Sequence, residues 1–146
     1  MKFVLMTKAT RHLEAGIPPS QASLDALKTY LQELEEAGIL VATKQLYPSS
    51  SGLRISFPEP GGRPVLEWGP LSEVKELVSG FTIIEVNSEE EAFEWALRMP
   101  DPNGYGEGVF ELRRVYEHSQ GYADPLQQGL EYELRSQIGI GMWKNR

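Results

Sequence analysis

The residues best able to support ligand chemistry lie in one segment, 66–86, where a Trp-Gly-Pro turn precedes charged side chains and an apolar run. Gly69-Pro70 predicts a rigid turn, and Phe81–Val86, rich in β-branched and aromatic residues, predicts a central strand. A short loop therefore brings acids and a base directly to the sheet. We expect ligand binding at this loop, whose candidate residues are Glu67, Trp68, Glu73, Lys75 and Glu76.

Further charged candidates lie on two predicted strands, Arg54 on one and Glu111 and Arg113 on the other. Strand alternation places Glu111 and Arg113 on the face opposite Phe110 and Leu112. Arginine pairs bidentately with carboxylates, and neighbouring charges shift pKa values, so these groups could line a polar cleft that holds a small charged ligand. The alternative is that they form ion pairs on a surface or at an interface.

Two aromatic candidates each allow two interpretations. Trp68 could be a stacking wall for an apolar or aromatic ligand, or a packing residue at a turn or interface. His12, on the connector after the first strand and with Glu14 nearby, could act as a general base, because an imidazole titrates near neutrality. The alternative for His12 is a solvated loop histidine. No residue is assigned as catalytic.

Composition limits the function classes. The chain has 146 residues, enough for one domain with a core, and its 14 Lys and Arg against 21 Asp and Glu give a net charge of −7. This charge disfavours nucleic acid and anionic membranes as partners. With no cysteine and only His12 and His118, neither a disulfide framework nor a metal site is expected, and no cofactor is predicted.

The N-terminal apolar run, Phe3–Met6, is too short for a signal sequence or a membrane span. We therefore expect a cytoplasmic protein without membrane association.

Short apolar runs bounded by turn residues predict the strands. They are Lys2–Thr7, Ile39–Leu46, Leu53–Phe57, Val65–Leu66, Phe81–Val86 and Val109–Val115. A first helix is capped by Ser20 or Ser23, carries leucines at helical spacing and ends at Gly38. Its apolar stripe is Leu24, Leu27, Leu31 and Leu34.

A second helix begins at a capping box formed by Ser88 and Glu91 and ends before Pro100. It is predicted to bury a wide stripe of Ala92, Phe93, Trp95, Ala96, Leu97 and Met99.

This order of elements predicts an α+β fold, a ferredoxin-like, antiparallel-rich sheet with both helices on one face. The strands Lys2–Thr7 and Phe81–Val86 are apolar on both faces, whereas two helices cover only one. The second face therefore needs another cover, and a second copy of the sheet in a homodimer is the economical solution.

Several segments together resemble the DGPF-type branch of the YCII-related family. They are Gly69–Val86, the Leu46-x-Pro48-Ser49 loop, Arg54, Trp95-Ala96 and Phe110–Arg113, and the resemblance covers most of residues 1–116. It implies a dimeric α+β barrel with a cleft near the Gly-Pro motif and no firmly established reaction. Two positions depart from the family: Trp68 replaces the signature aspartate, and the helix histidine of the wider family falls at Ala26.

Residues 1–116 are thus predicted to form the YCII-related domain, and residues 117–146 a C-terminal extension that packs on the domain or on a partner subunit. The resemblance implies a small-molecule-binding protein or a cofactor-independent enzyme. The basic groups Arg54, Lys75 and Arg113, an exception in a chain of net charge −7, favour a small acidic metabolite as its ligand. The alternative is a non-catalytic dimeric interaction or regulatory protein.

Overall fold

The computed structural model describes residues 1–117 together with residues 126, 129, 130 and 133. The chain divides into two compact units, Met1–Arg114 and Val115–Arg146. Of the predicted C-terminal extension 117–146, residues 126, 129, 130 and 133 are described and helical, whereas most of the extension lies outside the described residues. In the part of the chain that is described, no helix is long and apolar enough to cross a membrane.

The described strands are β1 (Lys2–Lys8), β2 (Leu40–Gln45), β3 (Leu53–Ser56), β4 (Val65–Trp68), β5 (Val78–Glu85) and β6 (Phe110–Arg114). The described α-helices are α1 (Arg11–Glu14), α2 (Gln21–Glu36) and α3 (Glu89–Leu97), and 3-10 turns occur at Ser49–Ser51 and Val74–Glu76. The short helix α1 lies in the segment that the sequence indicated as a connector. Its cap is Thr10, whose hydroxyl accepts a hydrogen bond from the Leu13 amide at 3.2 Å.

Four strands form an antiparallel sheet in the order β2-β5-β1-β6. With α2 between β1 and β2, and α3 between β5 and β6, the chain follows the β-α-β-β-α-β path of a ferredoxin-like fold. The predicted α+β fold class is therefore confirmed.

The strand register separates the sheet into a covered face and an open face, because cross-strand partners share a face. The covered face carries Phe3 opposite Ile84, and Leu5 opposite Thr82 and Leu112. The open face carries Val4 opposite Ile83 and Arg113, and Met6 opposite Phe81 and Glu111. Residues Phe3, Leu5, Thr82 and Ile84 are buried, whereas Val4, Met6, Phe81 and Ile83 are only half-buried.

Both long helices pack on the covered face. The core joins Phe3 and Ile84 of the sheet to Tyr30 and Leu34 of α2 and to Ala92 of α3. The two helices are also linked directly, since the Tyr30 hydroxyl donates a hydrogen bond to the Trp95 carbonyl at 2.7 Å. The open face has no such layer within the described residues of this unit.

The helix starts agree with the sequence, but the stripe of α3 is narrower than predicted. Ser20 and Ser88 are the N-caps of α2 and α3. Ala92 and Ala96 are buried, whereas Phe93 is 50% exposed and Leu97 is 87% exposed. The prediction that Phe93 and Leu97 are buried is wrong, because a short helix that approaches the sheet through two alanines buries only one narrow line of side chains.

The strands β3 and β4 are not part of the main sheet, contrary to the expectation of one extended sheet. They pair only with each other, as a separate hairpin with Leu53 opposite Trp68 and Ile55 opposite Leu66. Its base is closed by the Gly69 amide, which donates to the Gly52 carbonyl at 3.0 Å. The turns on either side of the hairpin therefore separate it from the main sheet.

Candidate functional site

The base of the hairpin brings the Pro48–Gly52 loop against the Gly69-Pro70 turn, whose peptide bond is cis. A Cβ on Gly69 would lie 1.6 Å from the Ser49 carbonyl oxygen, so only glycine allows this approach. The Leu71 amide then donates a hydrogen bond to the Ser49 hydroxyl oxygen at 2.9 Å. The Gly-Pro motif thus positions the amide of the residue that follows it.

A carboxylate from α1 completes this contact. Glu14 accepts hydrogen bonds from the Ser49 amide, at 2.8 Å, and from the Ser49 hydroxyl. Glu14, Ser49 and Leu71 thereby join three segments that are distant in sequence. Neither Glu14 nor Ser49 was predicted as a site residue. Ser49 belongs to the Leu46-x-Pro48-Ser49 loop that carries the family resemblance, whereas no pattern in the sequence pairs Glu14 with it.

These contacts border a cavity of about 350 Å³, here named the turn cavity. Its walls include Leu13, Leu46, Leu53, Leu71, Leu77 and Val78, with Glu14 and Ser49 among the polar groups. No basic residue is among the described lining residues. The turn cavity therefore suits a largely apolar molecule that offers a hydrogen-bond donor to the Glu14 carboxylate.

A second cavity, of about 700 Å³, shares Ala9 with the first and is here named the charged cavity. Its remaining lining residues are Thr10, Arg11, Glu73, Val74, Lys75 and Glu107. Among the described residues, neither Arg11 nor Lys75 takes part in a salt bridge. Glu73 has a left-handed backbone with φ 61°, a conformation that is uncommon for a non-glycine residue.

His12 is paired with a carboxylate that is not its neighbour in sequence. Its Nδ1 lies 2.9 Å from Glu107 Oε2, and its ring stacks on Tyr105 with centroids 4.3 Å apart and planes at 20°. The hydrogen bond from His12 lowers the pKa of Glu107. Glu107 is therefore an ionised acceptor near neutrality, and His12 Nδ1 is the donor. The expectation that Glu14 accompanies His12 is replaced by this pairing.

An ordered loop, 101–108, presents Tyr105 and Glu107 to His12. Burial would raise the pKa of Asp101, but hydrogen bonds from backbone amides, including Gly106 at 2.9 Å, outweigh it and lower that pKa. The buried Asn103 side chain donates to the Thr10 hydroxyl at 2.6 Å. The Asn103–Thr10 bond attaches the loop to the N-cap of α1, the helix that carries His12.

The remaining predicted site residues lie on other parts of the fold. Arg54 pairs with Glu67 at 3.1 Å on the hairpin, where Trp68 is 72% exposed. Glu111 lies on the open face of the sheet, 3.4 Å from Lys8 and 3.8 Å from Arg113.

The nine predicted residues are therefore not brought into one cleft. His12, Glu73 and Lys75 line cavities, Glu76 is exposed in the 3-10 turn Val74–Glu76, and the other five occupy the hairpin or the open face. Within the described residues, no group of three or more His, Cys, Asp or Glu side chains is placed to hold a metal ion.

Comparisons with known proteins place this geometry in context. The family model of the YCII-related domain matches residues 1–119. Among solved structures, the chain is similar to 5-chloro-2-hydroxyhydroquinone dehydrochlorinase from Burkholderia phenoliruptrix in complex with 2,5-dihydroxybenzoquinone. That match has 15% identity and a TM-score of 0.40, and covers 82% of this chain and 98% of the other. A comparison with curated protein sequences found no match.

Proposed function

Because the chain belongs to the YCII-related family, we propose that it binds a small molecule in the turn cavity. The observation that supports this proposal is an apolar cavity whose wall carries one polar pair, Glu14 and Ser49, held in place by backbone contacts. Apolar walls with a few fixed polar groups are typical of small-molecule sites. Because those groups are already ordered, binding costs little further side-chain entropy.

The polar pair indicates the chemistry of the ligand. The Glu14 carboxylate accepts two hydrogen bonds from Ser49 and retains further acceptor capacity. A hydroxyl or amine of the ligand would donate to it, while the apolar part of the ligand packs against leucine side chains.

A small acidic metabolite remains a second proposal, and it belongs to the charged cavity rather than to the turn cavity. Arg11 and Lys75 supply the positive groups there, whereas Arg54 is already paired with Glu67. An acidic ligand at the turn cavity would meet Glu14 without a compensating cation.

The sheet and the composition also support proposals about the assembly and the location of the protein. We propose a homodimer that buries the open face of the sheet, with the half-buried Val4, Met6, Phe81 and Ile83 at its centre.

The absence of cysteine and the net charge of −7 support a cytoplasmic protein that does not bind nucleic acid. The segment 117–146 is proposed to pack on the domain or on the partner subunit, and a chain that ends at Gln137 should then melt at a lower temperature.

A thermal-shift screen of hydroxylated and aminated aromatic and aliphatic metabolites tests the turn cavity. A ligand at a hundredfold its Kd stabilises the native protein by about 2.7 kcal/mol. We expect Glu14→Gln and Ser49→Ala to lose most of that stabilisation, because each removes part of the polar pair. Ser56→Ala, at the end of β3 and not in the lining, is the matched control and should respond as the wild type does.

Two results would contradict the proposal. A ligand that stabilises the wild type and both cavity variants equally binds elsewhere. If no compound in the screen stabilises the wild type, the alternative of a non-catalytic interaction protein is favoured.

A further inference from the structure

We propose that His12 and Glu107 form a general-base dyad that removes a proton from the carbon beside the carbonyl group of a small 2-oxo acid. The inference goes beyond the proposed binding function and does not depend on whether the turn cavity is occupied. It rests on a paired and stacked imidazole whose groove shares Arg11 and Glu107 with a cavity that Lys75 also lines.

The first step of the argument concerns the imidazole ring. The Glu107 carboxylate accepts from Nδ1 at 2.9 Å, and stacking on Tyr105 fixes the plane of the ring. Tyr105 is itself anchored, because its hydroxyl donates to the Pro18 carbonyl at 2.8 Å. With the proton on Nδ1, the neutral ring carries its lone pair on Nε2, for which the described residues supply no hydrogen-bond partner.

The second step concerns the space at the ring. His12, together with Arg11, Ile17 and Glu107, lines a depression of about 270 Å³ that is here named the histidine groove. The histidine groove shares Arg11 and Glu107 with the charged cavity, so the two spaces adjoin. A small molecule at their junction would have the imidazole on one side and the charged cavity, with Arg11 and Lys75, on the other.

The third step identifies the substrate class. A guanidinium binds a carboxylate bidentately, which assigns Arg11 to the acid group. Lys75, which also lines the charged cavity, supplies positive charge for an enolate oxygen. A 2-oxo acid offers both groups on adjacent carbons, and its C3 protons are acidic enough for an imidazole base.

The proton transfer is balanced without a further reactant. The C3–H bond breaks, its electron pair forms the C2=C3 double bond, and the carbonyl becomes an enolate oxygen. The proton moves to His12 Nε2, and the resulting imidazolium is paired with the Glu107 carboxylate. Return of that proton, or of a deuteron taken up from D2O, regenerates the 2-oxo acid.

Hydrogen–deuterium exchange measures this step directly. Pyruvate and phenylpyruvate are incubated with the protein in neutral D2O, and loss of the C3 proton signals is followed by NMR. We expect exchange above the buffer rate for the wild type, background exchange for His12→Gln, and a loss of about a hundredfold for Glu107→Gln. Glu33→Gln, which removes a carboxylate from the exposed Glu33–Arg98 pair, is the control and should match the wild type.

A second measurement separates catalysis from a structural role. Added imidazole should restore exchange to His12→Ala, and nitrogen NMR should find the neutral His12 proton on Nδ1 in the wild type and on Nε2 in Glu107→Ala. The proposal is overturned if the wild type exchanges neither probe faster than buffer, or if His12→Gln exchanges at the wild-type rate. Thermal shifts at the turn cavity do not enter either result, so failure here leaves the binding proposal standing.

Discussion

Gly69 lies where two backbone segments approach too closely for any side chain. The hydrogen atom that replaces a side chain there lets the turn reach Ser49, and this approach places the Leu71 amide on the Ser49 hydroxyl. The absence of a side chain at Gly69 therefore allows the Leu71–Ser49 hydrogen bond, and both of these residues line the turn cavity.

Gly69→Ala should destabilise the fold and open the turn cavity. Its Cβ would meet the Ser49 carbonyl oxygen at 1.6 Å, which the backbone must move to relieve, at a cost of about 3 kcal/mol. Gly52→Ala is the matched control, because its Cβ would lie 3.3 Å from the same oxygen. Urea unfolding measures both variants, and equal stability of the two would show that the close approach does not exist in solution.

The sequence indicated the turn but not the pairs that make the sites. Gly69-Pro70 is recognisable because turn chemistry is local, and strand alternation correctly separated Glu111 from Phe110. The partners Glu14 and Ser49 are 35 residues apart, and His12 and Glu107 are 95 apart. Such pairs arise from tertiary packing, so a local pattern assigned the nearer Glu14 to His12 instead.

At the scale of elements, a buried phenol connects α2 to α3. Burial raises the pKa of Tyr30 from 10.0 to about 12, although the charge of nearby Arg98 opposes the rise. The hydroxyl is neutral when protonated, and it donates to the Trp95 carbonyl. The native state therefore holds this proton more tightly than the unfolded chain does.

The protonated Tyr30 hydroxyl should contribute to the stability of the native state below about pH 10, and this contribution should be lost as the pH rises toward about 12. The free energy of unfolding of the wild type, relative to Tyr30→Phe, should fall by about 1 kcal/mol between about pH 9 and about pH 11. Urea titrations at each pH measure the difference. Tyr47→Phe, which removes the same hydroxyl from a side chain that is 87% exposed, is the matched control. A constant difference for Tyr30→Phe would mean that the phenol ionises equally in both states.

The elements themselves were largely predictable, and the exceptions have physical reasons. The caps Ser20 and Ser88 follow from local hydrogen bonding. The separate hairpin β3–β4 was not predictable in this way. A strand pattern indicates that a segment is extended, but it does not indicate which other strand the segment pairs with. The exposure of Phe93 was missed for a related reason: periodicity marks an apolar side chain without showing that another element covers it.

At the scale of the whole molecule, the open face of the sheet predicts a dimer. Val4, Met6, Phe81 and Ile83 form an apolar centre flanked by charged groups such as Lys8 and Glu111. An apolar sheet face of this kind is normally covered by another layer. A second copy of the same face would supply that layer in a symmetric assembly.

Light scattering at micromolar concentration should therefore report two copies of the 16.4 kDa chain. Ile83→Glu should shift the protein to monomer, because the interface would bury an unpaired charge at its centre. Phe93→Glu, which adds the same charge at an exposed position on α3, should remain dimeric. A monomeric wild type would contradict both the dimer and the barrel that the family resemblance implies.

Residues of the segment 71–78 line both the turn cavity and the charged cavity. Leu71, Leu77 and Val78 wall the turn cavity, whereas Glu73, Val74 and Lys75 wall the charged cavity. An occupant that shifts this segment at one cavity changes the affinity of the other, and thermodynamic reciprocity makes the two changes equal in factor. Molecules bound at the two cavities would then be effectors of one another, linked through a few residues of backbone.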